Sequence, residues 1–495
     1  MRQRSKEEKE KSMKKPFYIT TTLPYVNADP HVGFAVELVR ADVIARAKKL
    51  AGYDVFFNTG TDEHGAKIEK SAAGQGMTPQ AYVDEKSKKY RELLSILGIL
   101  PETNFIRTTD VHHVAAAAEF WRVVAKNGFI YKKDYSIKYC VGCELEKTDS
   151  ELVDGRCPLH PLTEIEIIKE ENYFFKFSDL ERKLLNLYKS NPTLVVPEFR
   201  FNEIKAFVER GLEDFSISRL KSKMSWGIPV PGDSDQVMYV WFDALVDYIS
   251  AIGWPDDQKK FKKFWQESGG VIQYCGKDNL RQQSAMWQAM LMAAGLPPSK
   301  TIVIDGFVTG DGGIKMSKSL GNTVDPFELV KEYGTDALRY YALRELHPFE
   351  DSPFTPEKFK EAYNAGLANG LGNLVSRIMK MAQDNLAKPV AIVVGQTSKY
   401  PEYQHALDSF NLKEASDFIW SKISALDGII QQEKPFSKIK DPQTKSGALE
   451  TIGKLVKGLG EVAFLLEPFL PETSKKIQTL IKENKMPDQP LFMRK

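Results

Sequence analysis

Residues 17–59 read in order as strand, turn, helix and strand, a succession that points to a parallel sheet. Phe17 to Leu23 form a short apolar run with β-branched Ile19, Thr20, Thr21 and Thr22, the composition of a strand. Asp29 is a good N-cap and Pro30 suits a first helical position. Val36, Val39, Val43, Ala47 and Leu50 then recur at helical spacing until Gly52 ends the run. Tyr53 to Thr59 reads as a second strand, completing a βαβ unit whose first turn favours phosphate. On this reading His31 lies in the first helical turn, where backbone N–H groups without helical partners and the helix dipole attract an anion. The alternative for this segment alone is a surface histidine beside a cap.

A chain of 495 residues, 42% hydrophobic and 27% charged, has the composition of a soluble globular protein with roughly two to four domains. No apolar run reaches the ~18 residues of a membrane span. The opening stretch MRQRSKEEKEKSMKK lacks the apolar centre of a signal peptide. Residues 1–15 are therefore expected to be a disordered basic tail on a cytoplasmic protein with no membrane partner, and Met13 is an alternative start. Sixty-eight basic against 66 acidic residues leave a net charge of +2. A nucleic-acid partner must then be held by a local basic surface, since bulk charge neither supports nor excludes one.

Three of the four cysteines fall in YCVGCELEKTDSELVDGRCPLHP. Cys140, Cys143, Cys157 and His160 give C-x2-C, thirteen residues, then C-x2-H. Two-residue gaps let each pair reach one ion from a tight turn, and four protein ligands leave no position for water, so a structural zinc, one per chain, is expected. A redox pair would use Cys140 and Cys143 and leave Cys157 and His160 idle. Cys275 stands outside the pattern as a small buried hydrophobe. Further on, VTGDGGIKMSKSLGNTVDP places Lys315 and Lys318 after Gly310, Gly312 and Gly313, mobile cations suited to a migrating phosphate charge; the alternative for this stretch alone is a solvated loop.

Taken together these stretches resemble the class I aminoacyl-tRNA synthetases, whose paired signatures are His-Ile-Gly-His and Lys-Met-Ser-Lys-Ser. Within that class they are most similar to methionyl-tRNA synthetases with a single zinc knuckle. The resemblance runs from about Phe17 to the C-terminus through TLPYVNADPHVGF, TGTDEHG, the knuckle, YVWFDALVDYI, GKD, KMSKS and GNLVSR. It implies an α/β fold: a Rossmann-like parallel-sheet catalytic domain in two halves (16–116 and 231–300) around a knuckle-bearing insertion (117–230). A KMSKS and stem-contact segment (301–360) and an all-α anticodon-binding bundle (361–495) follow. From Pro356 onward, helical apolar spacing independently dominates.

The resemblance implies activation of L-methionine by ATP with Mg2+, then transfer to initiator and elongator tRNA(Met). It casts His31, Lys315 and Lys318 as catalytic, and His31, Gly33, Gly276, Asp278 and Lys318 as ATP-binding. Leu23, Tyr25, Asp62, Trp241, Ala244, Leu245, Tyr248 and Gln283 fall at methionine-binding positions, Asp62 pairing with the amino group; its bland alternative is a helix cap for the segment that follows. By periodicity alone the 241–248 set would be core of one helix. Asn373, Arg377 and Phe436 fall at anticodon-binding positions, a core or surface-capping role being the alternative for Asn373 and Arg377. Three residues depart from the family pattern: Phe34 replaces the second signature histidine, Gln283 replaces a histidine at the methionine side chain while keeping a donor able to face sulfur, and Phe436 replaces a tryptophan platform. No oligonucleotide-binding domain follows the bundle, so a monomer is expected. Another nucleotidyltransferase of the superfamily has little need of the helical third. A noncatalytic tRNA-binding paralogue has no need of Lys318 or Asp62. Leucine or valine specificity brings a far larger insertion than the roughly hundred residues between the catalytic halves.

Overall fold

Strands β1 (Pro16–Thr20), β2 (Asp54–Thr61), β3 (Asn104–Arg107), β4 (Val195–Val196), β5 (Val271–Gly276) and β6 (Thr301–Asp305) form one sheet in the order β3-β2-β1-β5-β6-β4. Every neighbouring pair is parallel. Buried Tyr18, Ile19, Phe57, Ile272, Ile302 and Val303 cover it on both faces, as a parallel sheet requires. From β1 the chain builds outward through β2 and β3, then returns on β1's other side as β5 and β6. The crevice at this reversal lies beyond the carboxyl ends of β1 and β5, where doubly wound sheets bind ligands. The structure, a computed structural model, describes residues 14–143, 145–147, 151–314, 316, 323–392 and 397–495. Residues 1–13 of the expected tail, with Met13, and the expected catalytic Lys315 and Lys318 lie outside the described residues.

The strand expected to reach Leu23 ends at Thr20. Thr21 N–H still donates to Asn58 O at 3.2 Å, but Thr22 N–H turns to Glu37 Oε1 at 2.7 Å and leaves the ladder. Helix α1 (Val32–Leu50) begins later than expected. Asp29 is not its cap, because Lys86 and Lys89 hold that carboxylate at 2.8 and 2.9 Å. His31 itself is the N-cap: its backbone is extended (φ −128°, ψ 170°) and its side chain accepts the Gly33 N–H. Val36, Val39, Val43 and Ala47 are buried as their spacing predicts, whereas Leu50 is exposed at the helix end. Glu37, Arg40 and Asp42 on the other side are buried too, so α1 is enclosed all round.

The insertion builds an antiparallel sheet ordered Leu145–Lys147, Ile130–Cys140, Ile165–Phe175, Phe215–Ser216, with the knuckle in the hairpin between its two long strands. Helix Val111–Lys126 precedes this sheet and crosses the expected boundary at 117. The insertion also supplies β4, docked by Ile302 N–H on Leu194 O at 2.7 Å. After Pro356 the described chain is helical, with Asn373–Asn385, Leu412–Glu433, Lys445–Leu466 and Pro471–Glu483 as its main helices. One apolar core runs from α1 through Tyr341 and Leu367 into that bundle; a second, rich in Phe120, Phe175, Trp265 and Trp287, fills the other face of the sheet. Among the described residues, no helix is long and apolar enough to cross a membrane.

Candidate active site

A cavity of about 250 Å3 opens at the carboxyl ends of β1, β2 and β5. Three connections supply its floor because each strand stops there: Thr22 to Tyr25 follow β1, Asp62 follows β2, and Asp278 and Asn279 follow β5. Leu23, Tyr25, Asp62, Trp241, Ala244, Leu245, Tyr248 and Gln283 all line this one cavity, and so does Asp278. Residues spread over some 260 positions are thus brought together at the sheet's switch point. The single helix expected across 241–248 is instead two short ones, Val240–Ala244 and Asp247–Ser250. A tight turn separates them, Val246 N–H bonding Asp243 O at 3.1 Å. Its residues do more than fill a core.

The TGTDEHG block divides its work among three adjacent acidic and imidazole side chains. The Asp62 backbone is pinned to the segment after β1, its N–H donating to Pro24 O at 3.0 Å and its carbonyl accepting from Val26 at 3.1 Å. The cap of the next helix, Ala66–Gly74, is Gly65, so the capping reading of Asp62 does not hold. Gly65 has φ 116°, and a β-carbon there would lie 2.7 Å from Tyr25 Oη, so only glycine fits. Glu63 faces away, gathering Arg107, Thr61 and Thr109 hydroxyls and the Thr108 hydroxyl through its N–H. His64 Nδ1 meets Asp243 Oδ2 at 2.6 Å, and His113 Nε2 meets Asp243 Oδ1 at 2.8 Å. Burial works to raise the Asp243 pKa, but the two histidines outweigh it and hold the carboxyl below its ordinary value. A buried carboxylate clamped between two imidazoles therefore fixes the helix carrying Trp241 to the strand end carrying Asp62.

At the start of α1, the Gly33 N–H donates to His31 Nδ1 at 3.1 Å. With that nitrogen accepting, the neutral ring carries its proton on Nε2, the tautomer that can donate to an anion. A β-carbon on Gly33 would come within 2.8 Å of the His31 ring, and one on Gly276 would come within 2.8 Å of Asp278 Oδ1. Both glycines thus leave room for the residue two positions away. Phe34 turns into an aromatic cluster, edge-on to Tyr90 with centroids 5.6 Å apart, and takes a packing role where the signature has a second histidine.

The sequence did not point to Asp247 or to the contact of the knuckle with the cavity. Asp247 lines the cavity, and burial drives its carboxyl well above the ordinary range, followed by the nearby Asp243 charge; a lone aspartate in an apolar run gave no signal of this. Cys143 also lines the cavity, and Lys67 donates to Gly142 O at 2.7 Å, so the knuckle forms part of its wall. The Cys140, Cys143 and Cys157 sulfurs and a His160 ring nitrogen all lie within 4.8 Å of one another. Cys143 Sγ is 3.4 Å from Cys157 Sγ and 3.2 Å from His160 Nδ1, and Cys140 Sγ is 3.8 Å from that nitrogen. Tetrahedral zinc with ordinary bond lengths needs edges of about 3.5–3.8 Å, so the donor set fits the metal. A β-carbon at Gly142 would strike the His160 ring at 2.3 Å, which explains the glycine inside the first cysteine pair.

In the bundle, Asn373 is exposed on helix Asn373–Asn385 and Arg377 is half-buried one turn later. Arg377 forms an ion pair with Asp427 of helix Leu412–Glu433, an acceptor the sequence did not single out. Phe436 follows that helix, 46% exposed, an unusual position for so large an apolar ring.

A parallel sheet with its cavity at the switch point, a histidine-capped helix beside it and a helical bundle after it defines a class I aminoacyl-tRNA synthetase architecture. The chain belongs to the methionine branch of that class: the family model described as tRNA synthetases class I (M) matches residues 17–164 and 161–379. It is 40% identical over 478 residues to the methionine–tRNA ligase of Thermosynechococcus vestitus, covering 93% of this chain and 89% of that one. It is 38% identical over 489 residues to the methionine–tRNA ligase of Rickettsia felis, covering 96% and 93%. The crystal structure of Mycobacterium tuberculosis methionyl-tRNA synthetase bound by methionyl-adenylate superposes with a TM-score of 0.88 at 36% identity over 94% of both chains.

Proposed function

We propose that the protein is a methionine–tRNA ligase, which activates methionine with ATP and transfers it to the terminal ribose of tRNA(Met), releasing AMP and pyrophosphate. The observation that carries this reading is the single cavity that gathers Asp62, Tyr248, Trp241 and Asp278 from four separate segments. In the first step the methionine carboxylate attacks the α-phosphate of ATP, taken as its Mg2+ complex, and pyrophosphate leaves. In the second, a ribose hydroxyl of the tRNA attacks the adenylate carbonyl and AMP leaves. The nucleophile belongs to the substrate in both, so the protein positions reactants and stabilises phosphate charge.

Asp62 pairs with the methionine ammonium group and Asp278 holds the ATP ribose, each from a strand end. The His31 Nε2–H donates to phosphate oxygens, and Lys315 and Lys318 add positive charge. Cys140, Cys143, Cys157 and His160 hold one zinc ion, which braces the cavity wall. Asn373 and Arg377 read anticodon bases and Phe436 offers a stacking surface. The enzyme works as a cytoplasmic monomer. Amino-acid-dependent ATP–pyrophosphate exchange over a panel of amino acids tests the reading: exchange with methionine and none with leucine or valine is expected, and absence of methionine-dependent exchange refutes it.

A further inference from the structure

Behind the cavity runs a chain of buried polar groups whose direction is set at its far end. The Ser299 backbone N–H donates to Gln288 Oε1 at 2.9 Å, so the amide nitrogen is the other terminus of that side chain. It donates to the Gln283 backbone carbonyl at 2.9 Å and to Ser299 Oγ at 3.0 Å. A backbone N–H cannot accept and a carbonyl cannot donate, so the Gln288 carboxamide has one orientation. Ser299 Oγ, accepting from Gln288, gives its own hydrogen to Gln273 Oε1. Gln273 Nε2 must then donate to Gln283 Oε1, at 2.8 Å, and Gln283 Nε2 to Tyr248 Oη, at 2.6 Å. None of the five side chains is more than 2% exposed.

The relay ends on a hydroxyl that receives a hydrogen and still has one to give. Burial first, and the Asp247 charge second, keep Tyr248 protonated far above its ordinary value. Among the described residues its phenolic hydrogen has no acceptor, and the side chain lines the cavity. We propose that Ser299, Gln288 and Gln273 are positioning residues for thioether selection. They lock the Gln283 amide so that it donates to Tyr248, which leaves the phenolic hydrogen for an acceptor in the side-chain pocket. Gln283 thus acts on sulfur through Tyr248. With the opposite polarity, Tyr248 would direct its hydrogen to Gln283 Oε1 and the pocket would lose its donor. The inference rests on the methionine-activating reading above.

The test compares methionine with norleucine, which has nearly the same volume but a methylene where methionine has sulfur, in ATP–pyrophosphate exchange. Gln273→Glu, assayed at a pH where the new carboxyl is ionised, places a group that can accept but not donate opposite Gln283, so the Gln283 amide turns toward it and the relay reverses. The methionine-to-norleucine ratio of kcat/KM should fall about fivefold, the worth of one neutral hydrogen bond, through methionine KM and with norleucine little changed. Ser299→Ala should lower the ratio in the same direction, and Ser299→Thr, which keeps the hydroxyl, should restore it. A merely structural role would move both substrates together. An unchanged ratio in folded Gln273→Glu overturns the proposal; if that variant does not fold, an unchanged ratio in Ser299→Ala does so. Failure of the activity reading is distinct, since the unaltered enzyme would then show no methionine-dependent exchange.

Discussion

His31 holds two tasks that substitution can separate. As N-cap it accepts the Gly33 N–H at 3.1 Å, and as proposed phosphate donor it uses the other ring nitrogen. His31→Ser keeps a preferred capping oxygen but cannot reach the phosphate; His31→Ala removes both. Loss of a capping side chain costs about 1 kcal/mol, and loss of one donor to transition-state charge about 3 kcal/mol, which is about a hundredfold in rate. Methionine-dependent pyrophosphate exchange should therefore drop about a hundredfold in both variants, while urea unfolding shows about 1 kcal/mol lost in the alanine variant alone. Near-normal exchange by His31→Ser would refute the phosphate role and reduce His31 to a cap. Equal destabilisation of the two variants would refute the capping argument.

Freshly purified protein should carry about one zinc per chain, and Cys140→Ser should lower metal content and stability together; elemental analysis finding none would favour the redox reading of the cysteines. Asp243→Asn should cost about 3 kcal/mol at neutral pH by breaking the buried clamp. Because the Asp243 pKa is depressed in the fold, its contribution is present above the unfolded carboxylate value, about 4, and is lost as pH falls through the lower folded value. Urea titrations of wild type and variant should therefore converge toward pH 3, and a gap independent of pH would refute the charge argument. Arg377→Ala should cripple aminoacylation of tRNA with the CAU anticodon and leave pyrophosphate exchange intact. Parallel loss of both activities would refute a role confined to the anticodon.

What was legible in the sequence was whatever repeats or clusters along it. The first strand, the helix after it, the second strand and the four-ligand knuckle are local patterns, and each is found within a few residues of its expected place. The N-cap was misplaced because capping preference ranks Asp29 above His31 and takes no account of Lys86 and Lys89, which engage that carboxylate from a helix some sixty positions on. The enclosure of α1 was not legible, since burial of Glu37, Arg40 and Asp42 depends on their partners at Thr22, Pro348 and Arg339, which lie far off in sequence. The cavity residues were legible only through resemblance, because periodicity assigns 241–248 to a core. The relay behind Gln283 was invisible for the same reason: its direction depends on a backbone N–H folding back onto a glutamine eleven residues away.

The buried charges on α1 account for how the sheet that carries the cavity and the helical bundle share one core. Arg339 is fully buried, and a guanidinium taken out of water costs several kcal/mol unless its donors are met. Here each nitrogen has a partner: Nη2 lies 2.8 Å from Asp42 Oδ2 of α1 and donates to Pro468 O, Nε donates to Phe469 O, and Nη1 donates to Leu97 O. Pro468 and Phe469 form the turn between the last two long bundle helices, so one side chain joins α1, the segment before β3 and the bundle. Asp42 in turn accepts from Arg46 and from Leu100 N–H, which leaves neither oxygen idle. Arg40 fastens the same helix to the end of β6 through Asp305 and to the segment beyond it through the carbonyls of His347 and Pro348. Apolar packing alone tolerates sliding, whereas these directional contacts allow one register. The helix whose first residue is capped by His31 is thereby held to the bundle at a single setting, and the cavity with it.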